Sequence, residues 1–433
     1  MRCRALVLVN IASIAAVAGS AAATTGEWVR PTGGTWWDSS NWSEGVPAAP
    51  DDEALFLDTV EGPATITVDG PAALGTFYLS NTSPLLFDGP SRLTLASEVA
   101  DAFVAVEAGD HAVAAPLHLA SATVLHVLEP SVLTISGPLS SGAAIEFAKV
   151  SGGSLEISGP QAHGEGSLFI AIDGRTRMGS DAGSVGAAVL AVNVENRAVV
   201  TFAADQHLRA LRVGGGFEGE DVAPVAVLEQ HGGRVIHADL LEVHPTGRLD
   251  VTDNALVVRA TAETRAAVLA EVEGLIEAAR NAAAGLWRGN GITSSTAEAR
   301  PVTGLAVVLN DRGDGTPLFT TFGGEPVDVN SVIVRHTFNG DANLDGVINS
   351  DDYFRIDNTF LSPVANPTYR EGDFNFDDRI NSDDYFLIDA AFLGQQAGAS
   401  GGGALQSVVV PEPASATLLA TAALCAMRRR RGA

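Results

Sequence analysis

Asp341, Asn343, Asp345, Asn349 and Asp352 stand at positions 1, 3, 5, 9 and 12 of the stretch DANLDGVINSDD, with Val347 at position 7. A second stretch, DFNFDDRINSDD, puts Asp373, Asn375, Asp377, Arg379, Asn381 and Asp384 at the same positions, 32 residues from Asp341 to Asp373. That spacing suits a hard cation. Calcium takes six to eight oxygens, which a twelve-residue loop supplies from side chains at 1, 3, 5 and 12, a backbone carbonyl at 7, and a side chain or water at 9. The expected ligands are therefore Asp341, Asn343, Asp345, the Val347 carbonyl, Asn349 and Asp352 in the first loop. In the second they are Asp373, Asn375, Asp377, the Arg379 carbonyl, Asn381 and Asp384. Gly346 provides the sharp turn at position 6 of the first loop. Asp378 replaces it in the second, which is expected to bind Ca2+ more weakly. Ile348 and Ile380, at position 8, are placed to anchor each loop to a core.

Both loops run into the same short pattern, Tyr353-Phe354-Arg355-Ile356-Asp357 and Tyr385-Phe386-Leu387-Ile388-Asp389. Position 12 is Asp where EF-hands carry Glu, and no helical pattern precedes either loop. In these respects the pair, about 55 residues long, resembles type I dockerin modules. The resemblance implies two calcium sites and a cohesin-like or envelope protein partner, contacted by residues matching Ser350, Asp351, Ser382 and Asp383. Ser350 and Ser382 also fit helix N-caps, the reading favoured here. Three carboxylates per loop repel one another without a cation, so metal binding and folding are expected to be coupled.

The elements before this module read as β structure. Between residues 51 and 258 short alternating runs such as Arg92–Leu95, Val132–Ile135 and Ser154–Ile157 are each followed or preceded by Gly-Pro turns, among them Ser136-Gly137-Pro138 and Ser158-Gly159-Pro160. The spacing predicts rungs of roughly 20–25 residues, within the solenoid range; a β-sandwich pair is the open alternative. Four of the chain's five tryptophans, Trp28, Trp36, Trp37 and Trp42, lie just before. They read as a cap over the solenoid end, with a sugar-binding platform as the rival. The segment resembles the start of secreted β-solenoid proteins with autotransporter-like strand repeats. From Val268 to Leu286 apolar residues follow helical spacing, with Glu271, Glu273, Glu277 and Arg280 on the polar side, ending near Gly289. Strands return at Leu305–Leu309 and Val332–Val334. This order resembles a recurrent C-terminal region of secreted planctomycete-type proteins.

The two ends read as addresses. Residues 1–23 combine Arg2 and Arg4, an apolar stretch and a small-residue site at Ala21-Ala22-Ala23, the pattern of a signal peptide. Pro411-Glu412-Pro413, a 14-residue apolar stretch and Arg428 to Arg431 resemble the PEP-CTERM sorting signal of bacterial envelope proteins. Setting aside the six arginines and one glutamate of these ends leaves 20 basic against 51 acidic residues, a net of −31. Such a body repels nucleic acid and anionic lipid. Both cysteines, Cys3 and Cys425, lie in the ends, so no disulfide staples the body.

The expected organisation is a signal peptide (1–23), a Trp-rich cap (24–50), a parallel β-solenoid body (51–258), a small helix-plus-strand segment (259–338), an all-α dockerin-like pair of calcium loop–helix repeats (339–394), a linker (395–408) and a sorting tail (409–433). Gly214, Gly216 and Gly219 fit dinucleotide-binding spacing, but no helix pattern follows to hold a pyrophosphate. No GxSxG elbow or HExxH motif occurs, and His231, His237 and His244 are spread over strand-like sequence. The expected function is that of a non-catalytic, exported envelope or surface protein, touching membrane only through its sorting tail. The alternative is a glycan-binding or carbohydrate-active component of an extracellular polysaccharide-degrading system.

Overall fold

The computed structural model describes residues 23–215 and 223–399. Residues 1–22 of the segment read as a signal peptide, the glycine-rich residues 216–222, and everything from residue 400, with most of the span read as linker (395–408) and all of that read as a sorting tail, lie outside the described residues; residues 395–399 of that span are helical. The chain divides into two compact units, Met1–Ala391 and Phe392–Ala433. In the second, described residues 392–399 are helical.

The first unit is mainly β, a parallel solenoid of about 9 turns. Ten parallel strands from Thr25–Glu27 to Leu241–Val243 form one face, and eleven from Gly34–Thr35 to Gly291–Thr293 form another. A third face changes along the length. It is five-stranded from Ala72–Leu74 to Gln161–Ala162, and a separate sheet resumes at Gln206–Leu208, Val235–Ala238 and Ala255–Val258. The parallel pairing excludes the antiparallel sandwich that the strand pattern alone left open. Partner residues are 21 apart at Ser154↔Arg175, 22 at Val132↔Ser154 and 24 at Leu93↔Leu117.

The period-two alternation of each strand points one side chain in and the next out. Register then stacks the inward ones. Leu93, Leu117 and Leu139 form one buried column. Leu133, Leu155, Thr176, Val200, Ala226 and Leu249 form another. Each buried Leu or Val contributes about 1.5–3 kcal/mol, so a column is worth more than any single rung could gain alone. The Gly-Pro turns stack too: a Cβ on Gly137 would lie 2.3 Å from the Ala114 carbonyl oxygen, and one on Gly159 1.9 Å from that of Gly137. Only glycine lets successive turns approach so closely.

The ladders extend beyond the 51–258 span, beginning at Thr25, which pairs with Glu53. Trp28, Trp36 and Trp42 are buried against one another and Phe56, with the Trp28 and Phe56 rings stacked at 5.5 Å. Trp37 alone of the four is exposed, at 44%.

One inward position is ionic. Lys149 follows Phe147 in register, beside Leu125 and Ala171, and is 0% exposed. Its ammonium donates to the carbonyls of Ser151 (2.5 Å), Gly153 (2.5 Å) and Asp173 (2.7 Å). Burial lowers its pKa to about 8, while Asp173 pulls the other way.

The last parallel strand of the third face, Ala255–Val258, pairs antiparallel with Val332–Phe338, which pairs antiparallel with Thr303–Leu309. Helix α1, Arg265–Arg280, packs on this end through Val272, Ile276 and Ala279. It is shorter than its apolar spacing predicts: Asn281 caps it, and Ala283 and Leu286 are exposed. Arg280, expected on the polar side, is buried, with its guanidinium 5.9 Å from the Trp287 ring centre. A short helix α2, Ser295–Ala299, follows, N-capped by the Ser294 hydroxyl.

Candidate metal centre

Strand Val332–Phe338 delivers the chain directly into the first acidic loop, and a 3-10 turn, Tyr369–Glu371, leads into the second. Helix α3, Ser350–Leu361, leaves the first loop and helix α4, Ser382–Ala399, the second.

The two loops close by the same hydrogen bonds. Asp341 accepts from the amides of Asp345 (3.1 Å) and Gly346 (2.9 Å). Asp373 accepts from Asp377 (3.1 Å) and Asp378 (2.9 Å). Asp352 spans its loop, taking the Ala342 amide on Oδ1 (2.9 Å) and the Asn349 amide on Oδ2 (3.0 Å). Asp384 does likewise with Phe374 (2.9 Å) and Asn381 (3.0 Å). Asn343 and Asn375 side-chain oxygens accept from the amides of Asp345 (2.9 Å) and Asp377 (3.0 Å). Those two aspartates accept in turn from the amides of Val347 (2.9 Å) and Arg379 (3.0 Å). All twelve residues named from the sequence thus belong to two congruent folded loops. Val347 and Arg379 are exposed at the turns.

The caps differ from expectation. Asn349, not Ser350, is the N-cap of α3; its side chain accepts from the Asp351 amide at 2.8 Å, and Asp352 completes the capping box. Asn381 accepts from the Asp383 amide in the same way at 2.8 Å. An N-cap stands just outside the helix and accepts from the amide two residues on, a place that Asn349 and Asn381 hold and that the serines, already inside the first turn, do not.

The repeats also brace each other. Tyr353 donates to Asp389 (2.6 Å) and Tyr385 to Asp357 (2.7 Å). Gly340, before the first loop, abuts Ile388 of α4, and Gly372, before the second, abuts Ile356 of α3. Both have positive φ, +94 and +114. Ile348 is buried, and Ile380 packs part-buried against the same core. Asp378 takes the left-handed conformation that Gly346 takes, with φ of 62 against 86. The same holds at position 4, Leu344 (φ 60) and Phe376 (φ 59).

The four inner aspartates of the loops share one electrostatic situation. Asp341, Asp352, Asp373 and Asp384 are 0%, 0%, 3% and 0% exposed. Among the described residues, none of the six loop aspartates forms an ion pair with Lys or Arg. Burial raises the pKa of Asp352 to about 6 and of Asp373 to about 7, and also raises Asp341 and Asp384. Burying carboxylates without a counter-charge is costly, and a hard divalent ion held by oxygens removes that cost. Among the described residues no three His, Cys, Asp or Glu side chains already form a metal-ready cluster. Each loop carries two asparagines and an exposed residue's backbone carbonyl besides its three expected ligand aspartates, whose carboxylates are turned to loop amides.

Helix α1 reaches this module. Arg280 donates to the Asn375 carbonyl (3.2 Å), as does the Asn281 amide group (3.1 Å). Glu273 accepts from the Tyr369 amide (3.2 Å), and burial lifts its pKa to about 7. Sequence reasoning placed Glu273 and Arg280 on a solvent face. The period-32 pairs Gly340/Gly372 and Ile356/Ile388 were the available signal for the interlock between the repeats. The chain has no significant match to any protein-family model, curated protein or solved structure.

Proposed function

We propose that this is a non-catalytic, exported cell-envelope or surface protein in which a dockerin-like module binds two calcium ions and serves to dock or stabilise the solenoid. The observation that carries the reading is the repetition, bond for bond, of one acidic loop across 32 residues. In it Asp341, Asn343, Asp345, the Val347 carbonyl, Asn349 and Asp352 hold the first ion, and Asp373, Asn375, Asp377, the Arg379 carbonyl, Asn381 and Asp384 the second. The ion supplies charge neutralisation to carboxylates that are otherwise buried unpaired, so its binding free energy stabilises α3 and α4. Because α1 contacts the second loop through Arg280 and Asn281, that stabilisation reaches the closing end of the solenoid. The strongly acidic surface supports a calcium-rich, extracellular setting, and the terminal segments support export and sorting.

The test is limited proteolysis of the full chain with calcium and with chelator, followed by mass spectrometry. The reading expects chelator-dependent cleavage in 340–391, with Asp352→Ala and Asp384→Ala cleaved there even in calcium. Identical digestion with and without the ion removes it.

A further inference from the structure

Beside α3 lies a cleft of about 420 Å3 bounded by α1, the end of strand Thr303–Leu309, the turn after it and the Tyr369–Glu371 turn. Arg312, Arg355 and Arg370 line it, and Arg312 and Arg355 continue into an adjoining cavity of about 440 Å3. Phe354 lines both and is 69% exposed.

What sets these arginines apart is that three of them meet at one cleft. Arg177, Arg197, Arg212, Arg234, Arg259, Arg265 and Arg288 all pair with carboxylates. Among the described residues, none of the cleft arginines does. Arg312 donates to the carbonyls of Pro317 and Leu318, and Arg370 to that of Asp311. The Nε atoms of Arg355 and Arg370 are buried without a hydrogen-bond partner. The nearby acids are otherwise engaged. Asp311 binds Arg265 (2.8 Å) and the amides of Gly313 and Gly315, while Glu371 caps Thr368. In the adjoining cavity, Asp345 belongs to the first loop and Asp351 sits in the first turn of α3. Burial and the neighbouring Arg355 and Arg312 guanidiniums lower the pKa of Arg370, while Asp311 and Glu371 pull the other way.

A protein with 51 acidic and 20 basic body residues has carboxylates to spare, yet leaves three guanidiniums facing one cleft. Guanidinium is the group best matched to carboxylate or sulfate, binding either through two parallel hydrogen bonds. The phenyl ring beside it offers a flat apolar face of the kind that packs on a sugar ring. We propose that the cleft binds an anionic saccharide, its carboxylate or sulfate on Arg355 and Arg370 and its ring against Phe354. Uronate and sulfate ester share this chemistry and differ only in the oxyanion. The site uses no calcium ligand as its anion receptor, so it stands apart from the metal reading.

The test is calorimetric titration of the full chain, in calcium, with oligogalacturonate, a sulfated galacto-oligosaccharide, a neutral galacto-oligosaccharide of the same length and polyglutamate. The proposal expects binding of at least one charged probe, weakening steeply with salt, and none of the neutral one. Arg355→Gln and Arg370→Gln should each weaken it by about tenfold or more, and Phe354→Ala should weaken it with unchanged salt dependence. Circular dichroism confirms that each variant is folded; a variant that is not is replaced by Arg→Lys, which keeps charge and loses the paired geometry. Equal binding of neutral and charged probes, indifference to the arginine changes, binding of polyglutamate in place of either saccharide, or no binding overturns it. Calcium titration of Arg355→Gln and Arg370→Gln separates the two readings: neither residue is among the proposed calcium ligands, so both chains should still bind two ions while losing the saccharide.

Discussion

Replacing Lys149 with methionine keeps the aliphatic stem in the solenoid interior and removes the ammonium. Three carbonyls lose their donor, those of Ser151, Gly153 and Asp173. A hydrogen bond from a charged donor contributes about 1.5–3 kcal/mol, so three amount to roughly 6 kcal/mol gross. Burial of the ammonium opposes this. Its pKa of about 8 against an ordinary 10.5 corresponds to roughly 3 kcal/mol. The net cost of Lys149→Met is therefore about 3 kcal/mol, felt at the corner joining consecutive rungs. Hydrogen exchange reads it locally. The Arg175 amide bonds the Gly153 carbonyl and the Gly153 amide bonds Val127, so both should lose protection by about 100-fold, with smaller losses several rungs away. The urea midpoint should fall in step. Unchanged exchange at both amides together with an unchanged midpoint would refute the carbonyl cage as a source of stability.

Three further outcomes follow from the geometry. His237 is 3% exposed, stacks on His207 at 5.0 Å and has a pKa lowered to about 4, first by burial. The unfolded chain takes up the proton before the folded one, so this contribution is intact above pH 6.5 and is lost as pH falls toward 4. Up to about 3 kcal/mol is at stake, and His237→Phe should flatten the acid limb of a thermal-melting pH series. Asp378→Gly removes a side chain from a left-handed position (φ 62) and should tighten calcium at the second loop by about fivefold, or roughly 1 kcal/mol, while leaving the first loop unchanged in the same titration. Gly340→Ala places a Cβ 2.6 Å from Ile388 at φ +94. It should cost about 2 kcal/mol or more, seen as a lower melting temperature in saturating calcium.

Much of the body was legible because its physics is local. Strand alternation and the stacked Gly-Pro turns appear in the sequence as short patterns at a nearly constant interval, which predicts rungs; that these pair parallel rather than as a sandwich shows only in the register. That the two acidic stretches fold as matching loops was legible for the same reason, since the hydrogen bonds that close each loop lie within twelve residues. What escaped depends on partners far along the chain. Lys149 reads as a polar strand residue until the Asp173 carbonyl, 24 residues on, folds over it. Glu273 and Arg280 read as a solvent face until Tyr369 and Asn375 arrive nearly a hundred residues later. The Trp-rich cap read as a segment set before the body, because nothing local signals that Thr25 pairs with Glu53. The cap at Asn349 was missed because the same oxygen had been assigned to the cation alone.

Calorimetric titration of the full chain, stripped with chelator and dialysed, measures the two-site claim directly. The account predicts that two calcium ions bind per chain, falling to one in Asp341→Asn and in Asp373→Asn and to none in the pair. Heats of dilution alone, or two ions still bound by the doubly substituted chain, would contradict it.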